Sequence, residues 1–348
     1  MGMYGETIKN ANFDINDFEA FKPRIGVVGV GGGGNNTVER LSRLDVRGAR
    51  LFAFNTDAKQ INMIPPNITK LMLGKSLTHG LGAGGYPEIG EKAADLSGHD
   101  IEVLIKDLNM VFLTAGMGGG TGTGAAPVVA RIARENGAIV IGVVTIPFSL
   151  ERVRLETARK GIKKLREQVD TLIIIDNQKL VQVYPNLPIE KTFAIADDIT
   201  AKAVRGITEA ITQPSLINLD FADVRSIMRR GGLAMISVGS AHGSNRVEDV
   251  VHDTLKNKLL DVDYSDAKGV LLHITGGPDL TLGDANQIGE KLTSSSAPNA
   301  EVIWGARLDR DFSGRTEVIA IFTGVKGGAS VMGHDEAPQG NDLGFGMI

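Results

Sequence analysis

Cysteine is absent from the 348-residue chain. Disulfides and thiolate metal sites are therefore excluded, which fits a reducing compartment. The six histidines are scattered, with no His-Glu-x-x-His spacing to suggest zinc. Charge of one sign does not accumulate either. A formal net charge of −4 argues against nucleic acid as the main partner. Long hydrophobic runs are missing too: the best, Ile139 to Phe148, has ten residues, whereas a spanning helix needs about 20. The opening Met1-Gly2-Met3-Tyr4-Gly5-Glu6 lacks a basic region followed by an apolar one, so no signal peptide is expected. The chain reads as cytoplasmic.

Glycine is what the chain has. Residues Gly116 to Gly124 read Gly-Met-Gly-Gly-Gly-Thr-Gly-Thr-Gly. An apolar run, Met110-Val111-Phe112-Leu113, leads into them, and a helical pattern from Ala125 follows. Glycines at this density cost backbone entropy. Without Cβ atoms, however, successive N–H groups can converge on an anion at the positive end of the next helix. A flexible linker would be polar and would lack core-grade flanks. The segment reads as a polyphosphate cradle. It is not a Walker A loop, because no Lys-Ser or Lys-Thr follows the glycines. Gly74-Lys75-Ser76 has such a pair, but Thr69 stands where the first Walker glycine belongs.

At this length two domains are expected. Residues 1–22 read as an N-terminal extension. From Arg24, short apolar strands (Ile25 to Val30, Leu51 to Asn55, Met110 to Ala115, Ile139 to Val144, Thr171 to Ile175) alternate with helical stretches. That pattern predicts a Rossmann-like, doubly wound parallel sheet over 23–188. Ile189 to Ile211 carries apolar residues at three- and four-residue steps over a wide arc. It predicts a buried central helix over 189–213. Four more strands, near Ala234, Val270, Val302 and Val318, predict a smaller α+β domain over 214–325. Residues 326–348 read as a flexible tail ending in an apolar peptide.

Two further glycine segments accompany the first: Gly29 to Gly34, followed by Asn35-Asn36, and Gly80 to Gly85. The former satisfies G-x-G-x-x-G, which alone would suggest a dinucleotide-dependent oxidoreductase. Two anion loops on one sheet suit a single nucleotide's di- or triphosphate better. Asp220 and Asp223 sit three apart at the start of a helical stretch, on one side of its first turn. They serve either as N-cap and dipole partners, or as a carboxylate pair that polarises water or holds hydrated Mg²⁺.

Together Gly118-Gly119-Gly120-Thr121-Gly122-Thr123-Gly124, Asn55-Thr56-Asp57-Ala58, the Gly80 to Gly85 loop and Asn218-Leu219-Asp220-Phe221-Ala222-Asp223 resemble the tubulin/FtsZ family of GTPases, in its prokaryotic cell-division branch. The likeness runs from about residue 24 to 325. It implies the tubulin/FtsZ fold, GTP/GDP binding with Mg²⁺, and head-to-tail polymerisation at the division site. Within the glycine signature (Gly118, Gly119, Gly120, Thr121, Gly122, Thr123), the resemblance gives Gly120, Thr121 and Gly122 the α- and β-phosphates. It puts Gly32, Gly33, Gly34, Asn35 and Asn36 against phosphates and guanine, and Ala83, Gly84 and Gly85 by the γ-phosphate. Glu151 would meet the ribose and Asn177 and Asp197 the guanine, with Arg154 and Phe193 also at the nucleotide. Asn218, Asp220 and Asp223, on a catalytic loop over 217–223, would complete the site of the adjacent subunit. The tail segment 342–348 would bind a membrane-tethering adaptor of the FtsA or SepF kind.

Two departures from the family pattern stand out. The family's Glu-Gly-x-x-Arg is here Glu151-Arg152-Val153-Arg154, so Arg154, or else Arg152, is the arginine equivalent. Asp176 precedes Asn177 where the family usually has proline. A non-hydrolysing paralogue that binds GTP structurally remains the alternative to a working GTPase.

Overall fold

The computed structural model describes residues 22–183, 186–213, 215–229, 231–256, 262–265 and 267–327. Nearly all of the expected N-terminal extension, and the terminal peptide 342–348, lie outside the described residues.

Strand and helix alternate from Ile25. The first domain runs β1 (Ile25–Val30), α1 (Gly31–Arg43), β2 (Ala49–Asn55), α2 (Ala58–Met63), β3 (Thr69–Met72), α3 (Lys75–Thr78), α4 (Pro87–Leu96) and α5 (Gly98–Ile105). It continues through β4 (Met110–Gly116), α6 (Thr121–Glu135), β5 (Ile139–Ile146), α7 (Arg152–Arg166), β6 (Thr171–Asp176) and α8 (Asn177–Val183). The central helix is α9 (Ile189–Thr212). Beyond it come α10 (Phe221–Arg229), β7 (Gly232–His242), α11 (Arg246–Lys256), β8 (Val262–Asp263), β9 (Gly269–Gly276), α12 (Leu282–Thr293), β10 (Glu301–Leu308), β11 (Arg315–Thr323) and β12 (Lys326–Gly327).

The long strands form one sheet in the order β10-β9-β11-β7-β6-β5-β4-β1-β2-β3. β1 to β6 pair in parallel, so their loops gather at one edge of the domain. Alternate residues feed two buried layers: Val28, Val30, Val111 and Leu113 face the α4–α7 side, and Ile25, Val27, Met110 and Phe112 face α1 and α9. Covering both faces explains the unbroken apolar runs of these strands.

Three features differ from the sequence expectation. First, the second domain's strands continue the first sheet. Thr171–Ile173 of β6 pair in parallel with Gly232–Ala234 of β7, and Thr171 Oγ1 donates to Met228 O at 2.6 Å. Second, α1 begins at Gly31, inside the Gly29 to Gly34 segment, so glycines form its first turn. Third, Lys326–Gly327 is not loose tail: it pairs antiparallel with Val262–Asp263.

The central helix ties both domains together. It packs along α1 and also meets β7, β9 and β10. Glu209, nearly buried, pairs with Arg205 (2.8 Å) on its own helix and with Arg307 of β10. From Asp197 to Thr212 the helix rises about 22 Å. Its end abuts Gly48, which directly precedes β2 and so lies at the opposite end of the sheet from the glycine loops.

Candidate functional site

The glycine loops converge at the C-terminal ends of β1 and β4. Neither α1 nor α6 has a side-chain cap or an acidic residue in its first turn. Their N-terminal N–H groups and positive dipole ends are therefore left for an anion. Two glycines are required by backbone geometry. Gly31 has φ +71°, and a Cβ there would stand 2.8 Å from Gly122 N. Gly118 has φ +98°, and a Cβ there would stand 2.7 Å from Arg154 O. Gly119 and Gly85 face open space, with nothing within 4 Å of a Cβ position. Ala83 is buried against Gly120, while Gly84 and Gly85 are exposed.

Several polar side chains brace this cradle from behind. Buried Asn35 donates its amide to Gly29 O (2.9 Å) and accepts from Asn55 Nδ2 (3.0 Å). Buried Thr123 accepts from Gly118 N at 2.8 Å. Both were expected to meet the ligand, but their side chains point inward and fix the loops. Glycine-rich backbone leaves side-chain direction undetermined by sequence. Thr121 is half-exposed and shares a 2.7 Å hydroxyl hydrogen bond with Thr56. Asn55 Nδ2 also donates to Gln60 Oε1 at 2.8 Å, and Gln60 lies beside Gly32.

Beside the cradle, α1, α8 and α9 come together. Asn36, Glu39, Arg40, Arg43, Ala194 and Asp197 line a cavity of about 240 Å³. Asp197 accepts from Thr37 Oγ1 at 3.2 Å. Burial pushes its carboxyl up to about 6, against the lowering effects of the Thr37 hydroxyl and the Arg40 charge. Arg40 is held through two hydrogen bonds, 3.0 and 2.8 Å, to Asp198. Asn177 is buried, and its Oδ1 meets no donor among the described residues. The side chain of Phe193 is outside the described ones. Sequence reasoning missed Thr37, Arg40 and Asp198. Thr37 lies one helical turn beyond Gly33, and Asp198 beside Asp197, which was the available signal.

Glu151 accepts from Phe148 N at 3.2 Å and pairs with Arg154. The arginine that meets Glu151 is thus Arg154.

Asn218, Asp220 and Asp223 are not brought to the cradle. All three are exposed. Asn218 Oδ1 accepts from Ser215 N (2.8 Å), and Asp220 Oδ1 accepts from Ala222 N (2.9 Å), capping α10. Ile217 bridges to Ala306 in β10 at the sheet's far edge. The segment is anchored by Thr212 beside Gly48 on one flank and by Met228 at the start of β6 on the other. Both anchors lie at the strand starts, across the sheet from the glycine loops.

A larger cavity, about 410 Å³, lies in the second domain. Its Arg246 is already paired with Asp279 and Asp284. A parallel sheet ending in two lysine-free glycine loops, a carboxylate-bearing cavity beside them and a helix-linked second domain define a nucleotide-binding protein of tubulin-like build.

Comparison with known proteins narrows the class. The Tubulin/FtsZ family, GTPase domain, matches residues 24–185, and the FtsZ family, C-terminal domain, matches 232–326. The chain is 55% identical over 319 residues to cell division protein FtsZ 2 of Methanocaldococcus jannaschii, covering 91% of this chain and 83% of that protein. It is 46% identical over 328 residues to cell division protein FtsZ 1 of Archaeoglobus fulgidus, covering 94% and 89%. A solved empty FtsZ dimer from M. jannaschii has 44% identity and a TM-score of 0.84, with 89% and 90% covered. The chain belongs to the tubulin/FtsZ family, as a tubulin-like GTPase of its cell-division branch.

Proposed function

We propose that hydrolysis is completed between subunits, in a head-to-tail polymer. Bound GTP is read by Asp197, whose ionised carboxylate can accept the N1 and N2 protons of guanine, and by the orphaned Asn177 Oδ1. The first-turn N–H groups of α1 and α6 and the Thr121 hydroxyl hold the phosphates. Mg²⁺, a hard cation that keeps much of its water, would be held mainly through the phosphates and its own water, and would supply charge neutralisation at the triphosphate. Asp220 and Asp223 of the next subunit orient and polarise the attacking water. Its oxygen bonds to the γ-phosphorus as the bridging bond to GDP breaks, and its proton leaves through a carboxylate.

One observation carries this reading. The exposed acids sit on a segment whose flanks, Thr212 beside Gly48 and Met228 beside Thr171, meet the starts of β2 and β6, while the cradle lies at the strand ends of the same chain. A heterologous contact that joins such ends without closing gives an open filament. The exposed Leu81, Tyr86, Leu150 and Val153 around the cradle, and Leu216 beside the acids, supply apolar area for that contact. The related M. jannaschii protein is described as a dimer. The tail 342–348 is proposed to dock a membrane-tethering adaptor, of the FtsA or SepF kind, at the division site.

Mixing two inactive variants tests the shared site. Asp220→Ala keeps its own nucleotide site, and Asp197→Ala keeps its own acids. Random copolymers should recover about a quarter of normal turnover, since only one interface type in four is complete. A mixture that sediments together yet stays inactive would contradict the proposal.

A further inference from the structure

Both departures from the family pattern lie on adjacent loops. β5 and β6 are parallel neighbours with Ile146 opposite Asp176, so the segments that follow them leave the sheet side by side. Asp176 Oδ1 accepts from Gln178 N at 2.8 Å, an N-cap-like bond at the start of α8. Gln178 Oε1 accepts in turn from Ser149 N at 3.2 Å. That backbone belongs to the loop carrying Glu151, where Glu151 N donates to Phe148 O at 2.9 Å. Phe148 N donates back to Glu151 Oε1 at 3.2 Å.

These bonds run from the residue beside Asn177 to the Glu151 carboxylate. The bonds within 148–154, including the Glu151–Arg154 pair, orient the carboxylate relative to its own loop. The Ser149–Gln178 bond ties that loop to α8. A carboxylate offers about four lone-pair sites. With Phe148 N–H and Arg154 in place, Glu151 still has capacity to accept sugar hydroxyls.

We propose that Gln178 is a positioning residue for the ribose: by holding Ser149 it fixes the Glu151 loop against the base-binding helix, so that base and sugar are read as one unit. This rests on the assignment of Glu151 to the ribose. Where the family has a glycine after the glutamate and a proline before the asparagine, this chain uses an Asp176–Gln178–Ser149 brace.

The test compares affinities for GTP and 2′,3′-dideoxy-GTP in the full chain. It uses the unmodified protein and the Gln178→Ala, Gln178→Glu and Glu151→Gln variants. Gln178→Ala should weaken GTP binding about 3- to 10-fold, the range for one net hydrogen bond, and leave dideoxy-GTP binding unchanged. Gln178→Glu retains an acceptor oxygen and should keep the normal ratio between the nucleotides. Equal weakening of both nucleotides by Gln178→Ala, or no weakening of either, would overturn the proposal. If Glu151→Gln abolishes the ribose-hydroxyl preference but Gln178→Ala does not, the brace fails and the ribose assignment stands. If Glu151→Gln leaves the preference intact, the ribose assignment fails and the brace falls with it.

Discussion

Around the glycine loops, Asn35, Asn55 and Thr123 turn their polar atoms onto the chain's own backbone and side chains. The N-termini of α1 and α6 carry no side-chain cap, and the Asn177 acceptor has no partner among the described residues. In the 217–223 segment the order is reversed. The backbone is anchored to β10, one oxygen of Asp220 is used in a cap, and the carboxylates face solvent. The first region is a cradle braced from within one chain. The second presents charged groups with no side-chain partner among the described residues, as expected of a surface that completes something else.

The sharpest way to break that contrast is to separate the cap from the charge. Asparagine caps a helix about as well as aspartate, so Asp220→Asn should leave the melting temperature unchanged. Phosphate release should fall about 10²- to 10⁴-fold, with GTP affinity intact. A drop in melting temperature with activity retained would make Asp220 a structural residue.

A smaller effect should come from pH at the base cavity. Asp197 is raised to about 6, chiefly by burial. Below that value it carries a proton and can no longer accept both guanine N–H groups. GTP affinity should therefore be full above about pH 7 and weaken as pH falls through 6, approaching tenfold per unit. Binding titrations between pH 5 and 8 measure this, and Asp197→Asn should flatten the profile.

The smallest effect is expected at Thr121. Replacing it with valine removes the hydroxyl shared with Thr56 and should weaken GTP binding about fivefold. A much larger loss would mean that side chains, not backbone amides, dominate phosphate binding.

The sequence was legible where period and composition act locally. Buried parallel strands such as Ile139–Ile146 and the 24-residue central helix follow from apolar spacing, and the glycine signature marks the cradle. The union of the two sheets was not legible, because it depends on three residue pairs between β6 and β7 that only tertiary packing sets. The directions of Asn35 and Thr123 were also hidden, since glycine neighbours permit either face. The Arg40–Asp198 clamp joins residues far apart in sequence, with no local pattern to announce it.

Turnover of GTP per subunit, measured against protein concentration, tests the central claim most directly. If the acids act on the neighbouring subunit's nucleotide, turnover should be near zero at low concentration and rise steeply once filaments form. Turnover per subunit that stays constant across the assembly threshold would show that each chain completes its own site.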